Sequence, residues 1–186
     1  MNIIKKPVLV HVPKTGGSTL VRLPWLDYAG HATYNEARKM FGEDRLYFGV
    51  VRHPVDRFVS CMAPVFQYAQ NYSLEIQGLA GGGSFQLFVK KIAERLDRLG
   101  LEYEDHVFFR QQVRQLGSIA MIIYFENFKT GIRHIADQYG EHFEEQKLNH
   151  YGKIEYERPK LDTRTIRLIE SFYCFDMNRY GYESKV

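Results

Sequence analysis

The sequence predicts an α/β fold with a mainly parallel central sheet flanked by helices. Three short apolar runs have the length and β-branched content of buried parallel strands, and they cover residues 7–12, 46–51 and 118–125. Each run leads into a segment with helical signals, and this alternation is typical of a parallel sheet. With 186 residues, of which 45% are hydrophobic, the chain is long enough for one buried core. We therefore expect a single domain across residues 1–186.

Local signals define the first elements. The run PVLVHV is followed by a glycine pair and STLVRL, which predicts a strand, a glycine loop and a helix in that order. Pro24 is expected to end or kink this helix, because proline lacks the N–H group that a helix interior needs. Thr33 and Glu36 have the spacing of a capping box, so a second helix should begin there and stop near Gly42.

The later elements follow the same logic. Pro54 suits the first turn of a helix behind the second strand, and Pro64 should disturb that helix. The segment from Gly78 to Ser84 predicts an exposed loop, either a mobile lid or a tolerated insertion. Gly100 is expected to stop the helix that follows. The remaining helices are expected at residues 85–99, 128–139 and 163–175.

Composition narrows the function classes. The net charge of +3, from 25 basic and 22 acidic residues, is far from the cationic profile of proteins that bind nucleic acid without sequence preference. Residues 1–60 nevertheless hold nine Lys or Arg against five Asp or Glu, which favours a small anionic ligand near the first glycine loop. Cys61 and Cys174 lack metal-ligand spacing, and we expect both to be buried free thiols.

Targeting signals are not evident in the sequence. No apolar run approaches the roughly 20 residues of a membrane span, and MNIIKK leads directly into the first strand, without the pattern of a signal peptide. We therefore expect a cytoplasmic protein with no membrane span.

The stretch HVPKTGGSTL, residues 11–20, has the composition of an anion-binding loop. Ligands of open α/β sheets bind beyond the carboxyl ends of the strands, where a glycine loop presents backbone N–H groups. An ordinary strand-to-helix turn is the alternative. If the loop holds phosphate or sulfate, the binding residues are Lys14, Thr15, Gly16, Gly17, Ser18 and Thr19.

The order of residues in this loop distinguishes it from the GxxxxGK[ST] loop of common ATPases, because here the lysine precedes the glycines. The stretch PKTGGST resembles the 5′-phosphosulfate loop of sulfotransferases, PKTGGTS. VVRHPVDRFVS resembles the second motif of that family, in which Arg52 at a strand end and Ser60 on the next helix would grip the 3′-phosphate of the donor. The resemblance is nearest to carbohydrate-type and short microbial sulfotransferases, and it implies a P-loop-like three-layer fold.

The same resemblance implies the chemistry. The donor would be 3′-phosphoadenosine 5′-phosphosulfate (PAPS), and the acceptor a hydroxyl of a carbohydrate or other glycan-like molecule, with no metal required. Lys14 would stabilise the charge that develops on the leaving phosphate. Between the two motifs, GHATYNEARK resembles a further segment of the family. Weaker matches occur later in the chain: IIYFENF, KLNHY and FYCFDMNRYGY. The acceptor and the oligomeric state stay open.

An acceptor hydroxyl must lose its proton, and histidine is suited to that task near neutral pH. We favour His31, in the loop after the first helix, where related sulfotransferases place a His or Glu base. His106 and Glu36 remain alternatives, and Glu36 has a helix cap as its default role. His11, in the strand, and His53, beside Arg52, are further competitors.

Two other functions stay open. One is a nucleotide kinase or NTPase with an altered P-loop. The sequence lacks the GK[ST] order and an obvious magnesium-binding Asp, and both absences disfavour this function. The other is a non-catalytic protein that binds the spent donor, 3′-phosphoadenosine 5′-phosphate (PAP), or another nucleotide. Arg57 is expected either to face the nucleotide or to pair with Asp56.

Overall fold

Four parallel strands form one sheet in a computed structural model that describes residues 5–102, 106–143 and 156–186. The strands are β1 (Val8–Val10), β2 (Asp27–Tyr28), β3 (Tyr47–Val51) and β4 (Met121–Tyr124), in the spatial order β2-β1-β3-β4. All three neighbouring pairs are parallel. The protein is therefore α/β with a central parallel sheet, as the alternating pattern predicts, and the carboxyl ends of the strands share one edge.

The helices of the described residues are distributed over two compact units. The first unit takes residues 5–52 and 112–143, and it contains the whole sheet with α1, α2, α7 and α8. The second takes residues 53–102, 106–111 and 156–186. The expectation of a single domain stays a prediction. The helices are α1 (Gly17–Leu20), α2 (Tyr34–Phe41), α3 (Pro54–Gln67), α4 (Leu74–Ala80), α5 (Phe85–Ala93), α6 (Leu96–Glu102), α7 (Gln112–Leu116), α8 (Phe128–Gln138), α9 (Thr163–Phe172) and α10 (Cys174–Tyr180).

Helices cover both faces of the sheet in the first unit. Phe48 and Val50 of β3 belong to a buried cluster that includes Ile132 of α8. Gly49 points to the opposite face, because side chains alternate along a strand, and a Cβ atom there would lie 2.4 Å from Leu116 of α7. The close approach of α7 therefore depends on the missing side chain of Gly49.

The second unit is helical in its described residues. Apolar side chains of α3 pack with those of α5 and α9, and the resulting core includes Phe58, Met62, Phe88, Ile92, Ile169 and Tyr173. Pro64 lies inside α3, which continues to Gln67, so this proline does not end the helix. Both neighbours of Pro64 are buried, Ala63 and Val65, and this packing outweighs the hydrogen bond that proline removes.

Three other helix limits differ from expectation. The first helix ends at Leu20, and the chain continues in tighter turns in which Arg22 and Leu23 donate to carbonyls three residues earlier. Pro24 follows these turns and restricts the residue before it. α4 extends to Ala80, so the segment from Gly78 to Ser84 is only partly a loop. Gly100 lies within α6, and the helix expected at 85–99 is divided into α5 and α6.

Other expectations are confirmed at the level of elements. α2 begins with the capping box of Thr33 and Glu36 and ends at Gly42, and α8 ends two residues before Gly140. The last helical segment is divided at Tyr173 into α9 and α10. Cys61 is buried, but Cys174 is exposed, which corrects the expectation of two buried thiols. In the described ranges, no helix has both the length and the apolar character needed to cross a membrane.

Candidate functional site

The loop after β1 is held against its own strand. The Thr15 side chain is buried, and its hydroxyl donates to the carbonyl of Val12 at 2.8 Å. The sequence predicts Thr15 as an anion ligand, which stays a prediction, and its hydroxyl also holds the loop together. The loop consequently has a fixed path between the end of β1 and the start of α1.

Lys14 has an uncommon backbone conformation. Its φ is 66°, and no other residue except glycine has a positive φ in the part of the chain that the structure describes. For a residue with a Cβ atom this left-handed conformation raises the energy by about 1–2 kcal/mol. Backbone strain of this kind clusters at ligand-binding and catalytic loops. A lysine where the backbone favours glycine suggests that its side chain is what this position requires.

The two glycines of the loop are sites of close approach. A Cβ atom on Gly16, which has φ = 89°, would lie 2.6 Å from the ring of Phe128. A Cβ atom on Gly17 would lie 1.9 Å from Nε2 of His11. Real Cβ atoms do not come that close, so both positions need glycine to keep the present packing. The loop is thus packed between the first residue of α8 and the imidazole of His11.

The hydroxyls of Ser18 and Thr19 belong to α1. Ser18 is exposed and Thr19 is half-buried, and no side chain caps the start of this short helix. Gly16 is its N-cap residue, in the left-handed conformation. The predicted binding residues from Lys14 to Thr19 thus form one continuous segment that ends in the helix, and their contacts with an anion stay a prediction.

Arg52 lies beside this loop, immediately after β3. Its guanidinium Nη1 donates to the backbone carbonyl of Lys14 at 3.2 Å. The guanidinium carbon also lies 4.6 Å from the ring centroid of Phe125, a distance typical of a cation–π contact. Because β1 and β3 are parallel neighbours, the two sequence motifs meet at one edge of the sheet. The structure brings the lysine loop and Arg52 together.

The backbone of Arg52 is fixed by a residue that the sequence reasoning did not single out. Gln112 on α7 is fully buried, and its Oε1 accepts from the Arg52 N–H at 3.0 Å. Its Nε2 donates to the Arg52 carbonyl at 2.9 Å. This amide continues the hydrogen-bonding pattern of the sheet past the end of β3. Gln112 is 60 residues from Arg52 in the sequence, and no local pattern indicates this contact.

His31 lies next to His11 in the same unit. The centroids of the two imidazole rings are 4.6 Å apart, and His31 Nδ1 lies 3.3 Å from the carbonyl oxygen of His11. A carbonyl can only accept, so Nδ1 carries the proton and the lone pair is at Nε2. In this tautomer, Nε2 is the nitrogen that can accept a proton. His31 is thus linked to the loop through His11, which contacts Gly17.

His11 is a weak base. Burial, with a smaller contribution from His31, lowers the pKa of His11 to about 3. A group with such a low pKa is far from the value that suits proton abstraction near neutral pH. His11 Nδ1 is also 3.3 Å from the hydroxyl of Tyr28. The geometry therefore favours a packing role for His11.

The other candidate bases have evident partners. The Glu36 carboxylate accepts from the Thr33 N–H at 2.7 Å and from the Thr33 hydroxyl at 2.8 Å, as the capping box predicts. In the second unit, His106 Nδ1 accepts from the Phe108 N–H at 3.3 Å, and its ring packs against Tyr72. Burial lowers the pKa of His106. Both contacts serve the local fold.

The remaining motif residues belong to the second unit. Ser60 is buried in α3, six residues after Pro54, and its grouping with Arg52 around one phosphate stays a prediction. His53 donates from Nε2 to the Glu183 carbonyl at 2.9 Å, and its Nδ1 accepts from the N–H of Val55.

The two charged residues of this motif have separate partners. Arg57 is buried, and it donates to the Val107 carbonyl at 3.2 Å. The Asp56 carboxylate pairs with Arg158 and with Lys185. Whether Arg57 faces a nucleotide or pairs with Asp56 stays a prediction.

The cluster at the carboxyl ends of β1 and β3 suits an anion by its charge, since it combines Lys14 and Arg52. In residues 5–102, 106–143 and 156–186, no group of three or more His, Cys, Asp or Glu side chains is arranged to hold a metal ion. The KLNHY segment lies outside the described residues. No family model matches this chain, and neither a curated protein nor a solved structure matches it.

Proposed function

We propose that the protein is a PAPS-dependent sulfotransferase with a P-loop-like fold, acting on a hydroxyl of a carbohydrate or other glycan-like acceptor. The observation that carries the proposal is the 3.2 Å contact between the Arg52 guanidinium and the Lys14 carbonyl. It joins the two motifs that resemble the 5′- and 3′-phosphate sites of sulfotransferases. Two cations at neighbouring strand ends suit a nucleotide with phosphate groups at both positions.

The residues have distinct tasks in the proposed reaction. Lys14 stabilises the negative charge that develops on the 5′-phosphate as the bond between sulfur and the bridging oxygen breaks. His31 takes the proton of the acceptor hydroxyl at Nε2 while the hydroxyl oxygen forms its bond to sulfur. Arg52 holds the 3′-phosphate and so orients the donor for in-line transfer. The products are the sulfated acceptor and PAP.

Strain at Lys14 supports this assignment. Lys14 has a left-handed backbone conformation, which glycine adopts at lower energy than lysine. The loop around it is fixed by the Thr15 hydroxyl and by the two close approaches at Gly16 and Gly17. A rigid loop keeps an ammonium group in place without reorganisation during the reaction, which is the condition for strong electrostatic stabilisation.

Calorimetric titration with PAP and with ATP, each with and without a chelator, tests the proposal. We expect PAP to bind at least tenfold more tightly than ATP, with an affinity that the chelator does not change. Preferential, magnesium-dependent binding of ATP would instead identify a nucleotide kinase or NTPase. Binding of PAP without sulfuryl transfer from PAPS to any glycan in an acceptor panel would identify a nucleotide-binding protein without turnover.

A further inference from the structure

A buried glutamine on α7 connects the two histidines of the candidate site. Gln115 is 0% exposed, and its Nε2 donates to the His11 carbonyl at 2.7 Å and to the His31 carbonyl at 3.1 Å. The Ala32 carbonyl lies 3.5 Å from the same nitrogen. Since carbonyls only accept, these neighbours identify this atom as the amide nitrogen. One side chain therefore ties the end of β1 to the loop that carries His31.

The carbonyl of His11 is shared. It accepts from Gln115 Nε2 at 2.7 Å and from His31 Nδ1 at 3.3 Å. The amide thus fixes the position of the oxygen atom to which the His31 imidazole donates, and it also fixes the backbone of His31 itself. Ring orientation and tautomer of a histidine are set by the hydrogen bond of its second nitrogen.

We infer that Gln115 is a positioning residue for His31, because it fixes the backbone on both sides of the imidazole contact and so keeps the lone pair at Nε2. This inference rests on the proposed function, in which His31 accepts the acceptor proton. Gln115 acts through His31 and does not need to touch either substrate. Its loss should therefore lower turnover and leave donor affinity intact.

The same helix provides a matched control. Gln112 is also 0% exposed, and it lies one turn before Gln115, but its amide holds the backbone of Arg52. Loss of Gln112 should therefore weaken donor binding and leave His31 unchanged. A merely structural role for both glutamines predicts similar effects of the two substitutions.

Methionine is the test substitution at both positions, because it is unbranched, close to glutamine in shape, and unable to donate. The Oε1 atom of Gln115 is buried and has no hydrogen-bond partner among the described residues, so Gln115→Met also removes an unsatisfied acceptor. The substitution also leaves the His11 and His31 carbonyls without their amide donor, and the gain offsets part of that cost. Gln115→Leu, which is also apolar and lacks the donor, is the second variant should Gln115→Met fail to fold.

The decisive readout is the tautomer of His31, from long-range proton–nitrogen NMR correlations of the imidazole in the full chain. We expect a single Nδ1–H form in the wild type and in Gln112→Met, and a mixture of tautomers in Gln115→Met. The kcat of Gln115→Met should fall roughly 10- to 100-fold, with PAP affinity within twofold of the wild type. Gln112→Met should weaken PAP binding at least fivefold.

A wild-type His31 spectrum in a folded Gln115 variant overturns the inference, whatever the activity. Unchanged kcat in Gln115→Met overturns it as well. Failure of the wild type to bind PAP overturns the proposed function instead, and the NMR readout does not depend on that result.

Discussion

The two units use the same residue types for different purposes. In the second unit, His53 and Arg57 are buried and donate to backbone carbonyls of that unit, beside an apolar core of helices. In the first unit, polar groups gather near the ends of β1 and β3, where Arg52 contacts the Lys14 carbonyl and His31 contacts the His11 carbonyl. The difference shows that the position of a polar residue relative to the strand ends, more than its type, marks it as a candidate for chemistry.

Removal of the Lys14 ammonium should give the largest effect on activity. Lys14→Ala should lower kcat/KM by about 10²–10³, because one electrostatic contact to the leaving phosphate is lost, and it should also weaken PAP binding. Lys14→Gly should be equally inactive, yet more stable than Lys14→Ala by about 1 kcal/mol, because glycine adopts the left-handed conformation without strain. Sulfuryl-transfer assays and urea unfolding measure the two quantities.

Lys39→Ala is the control for this pair, since Lys39 is exposed in the last turn of α2. It should leave both activity and stability unchanged. Wild-type activity in Lys14→Gly would show that sulfuryl transfer does not need the Lys14 ammonium. The lysine loop would then not differ in this respect from the rest of the molecule.

The base assignment predicts a smaller effect, confined to turnover. His31→Ala should lower kcat by about 10², because general base catalysis contributes that much or more, and PAP affinity should change less than twofold. His134→Ala, which removes an exposed histidine of α8 in the same unit, should behave as the wild type. Full turnover in His31→Ala, measured with saturating PAPS, would exclude His31 as the base.

Glycine substitutions compare packing in the two units. Gly17→Ala should lower the free energy of unfolding by about 1–3 kcal/mol, because the new Cβ atom overlaps the His11 imidazole. Gly78→Ala in α4 has no heavy atom within 4 Å of its new Cβ, and it should raise stability by about 0.5–1 kcal/mol. Equal effects in urea unfolding would show that the loop is not tightly packed.

The pKa of His11 predicts a pH dependence of stability. The unfolded state takes up the proton near pH 6.5, whereas the folded state resists it down to a pKa of about 3. The contribution of neutral His11 to the free energy of unfolding is therefore complete above pH 6.5. It is lost as the pH falls towards 3, by at most about 1.4 kcal/mol per pH unit. Urea unfolding at pH 7, 6 and 5 measures how steeply the free energy of unfolding changes with pH. This change should be smaller for His11→Gln than for the wild type, and identical changes would refute the low pKa of His11.

The features that local signals specify were predictable from the sequence. The strands around residues 8–10 and 47–51 are apolar and β-branched, and α2 has both a capping box and a terminal glycine. β2 has only two residues, and its pairing with β1 depends on the chain that returns after Pro24. No periodicity reveals a strand of that length.

The candidate site also contains residues that were predictable from the sequence and residues that were not. Lys14 and Arg52 were predictable, because each follows a recognisable strand, and parallel neighbours end at one edge. The contacts of Gln112 and Gln115 were not predictable. Gln112 binds the backbone of a residue 60 positions earlier in the sequence, and Gln115 binds one 104 positions earlier. Long-range hydrogen bonds of a buried amide leave no local pattern.

In the proposed complex, the lysine loop and Arg52 hold opposite ends of one nucleotide. Calorimetric titration of the wild type, Arg52→Ala and Lys14→Ala with PAP and with adenosine 5′-phosphate, which lacks the 3′-phosphate, tests it directly. Arg52→Ala should weaken PAP binding about tenfold or more and leave adenosine 5′-phosphate unaffected, whereas Lys14→Ala should weaken both. If Arg52→Ala binds PAP as the wild type does, or weakens the binding of both ligands equally, Arg52 does not hold the 3′-phosphate and the proposed binding mode is wrong.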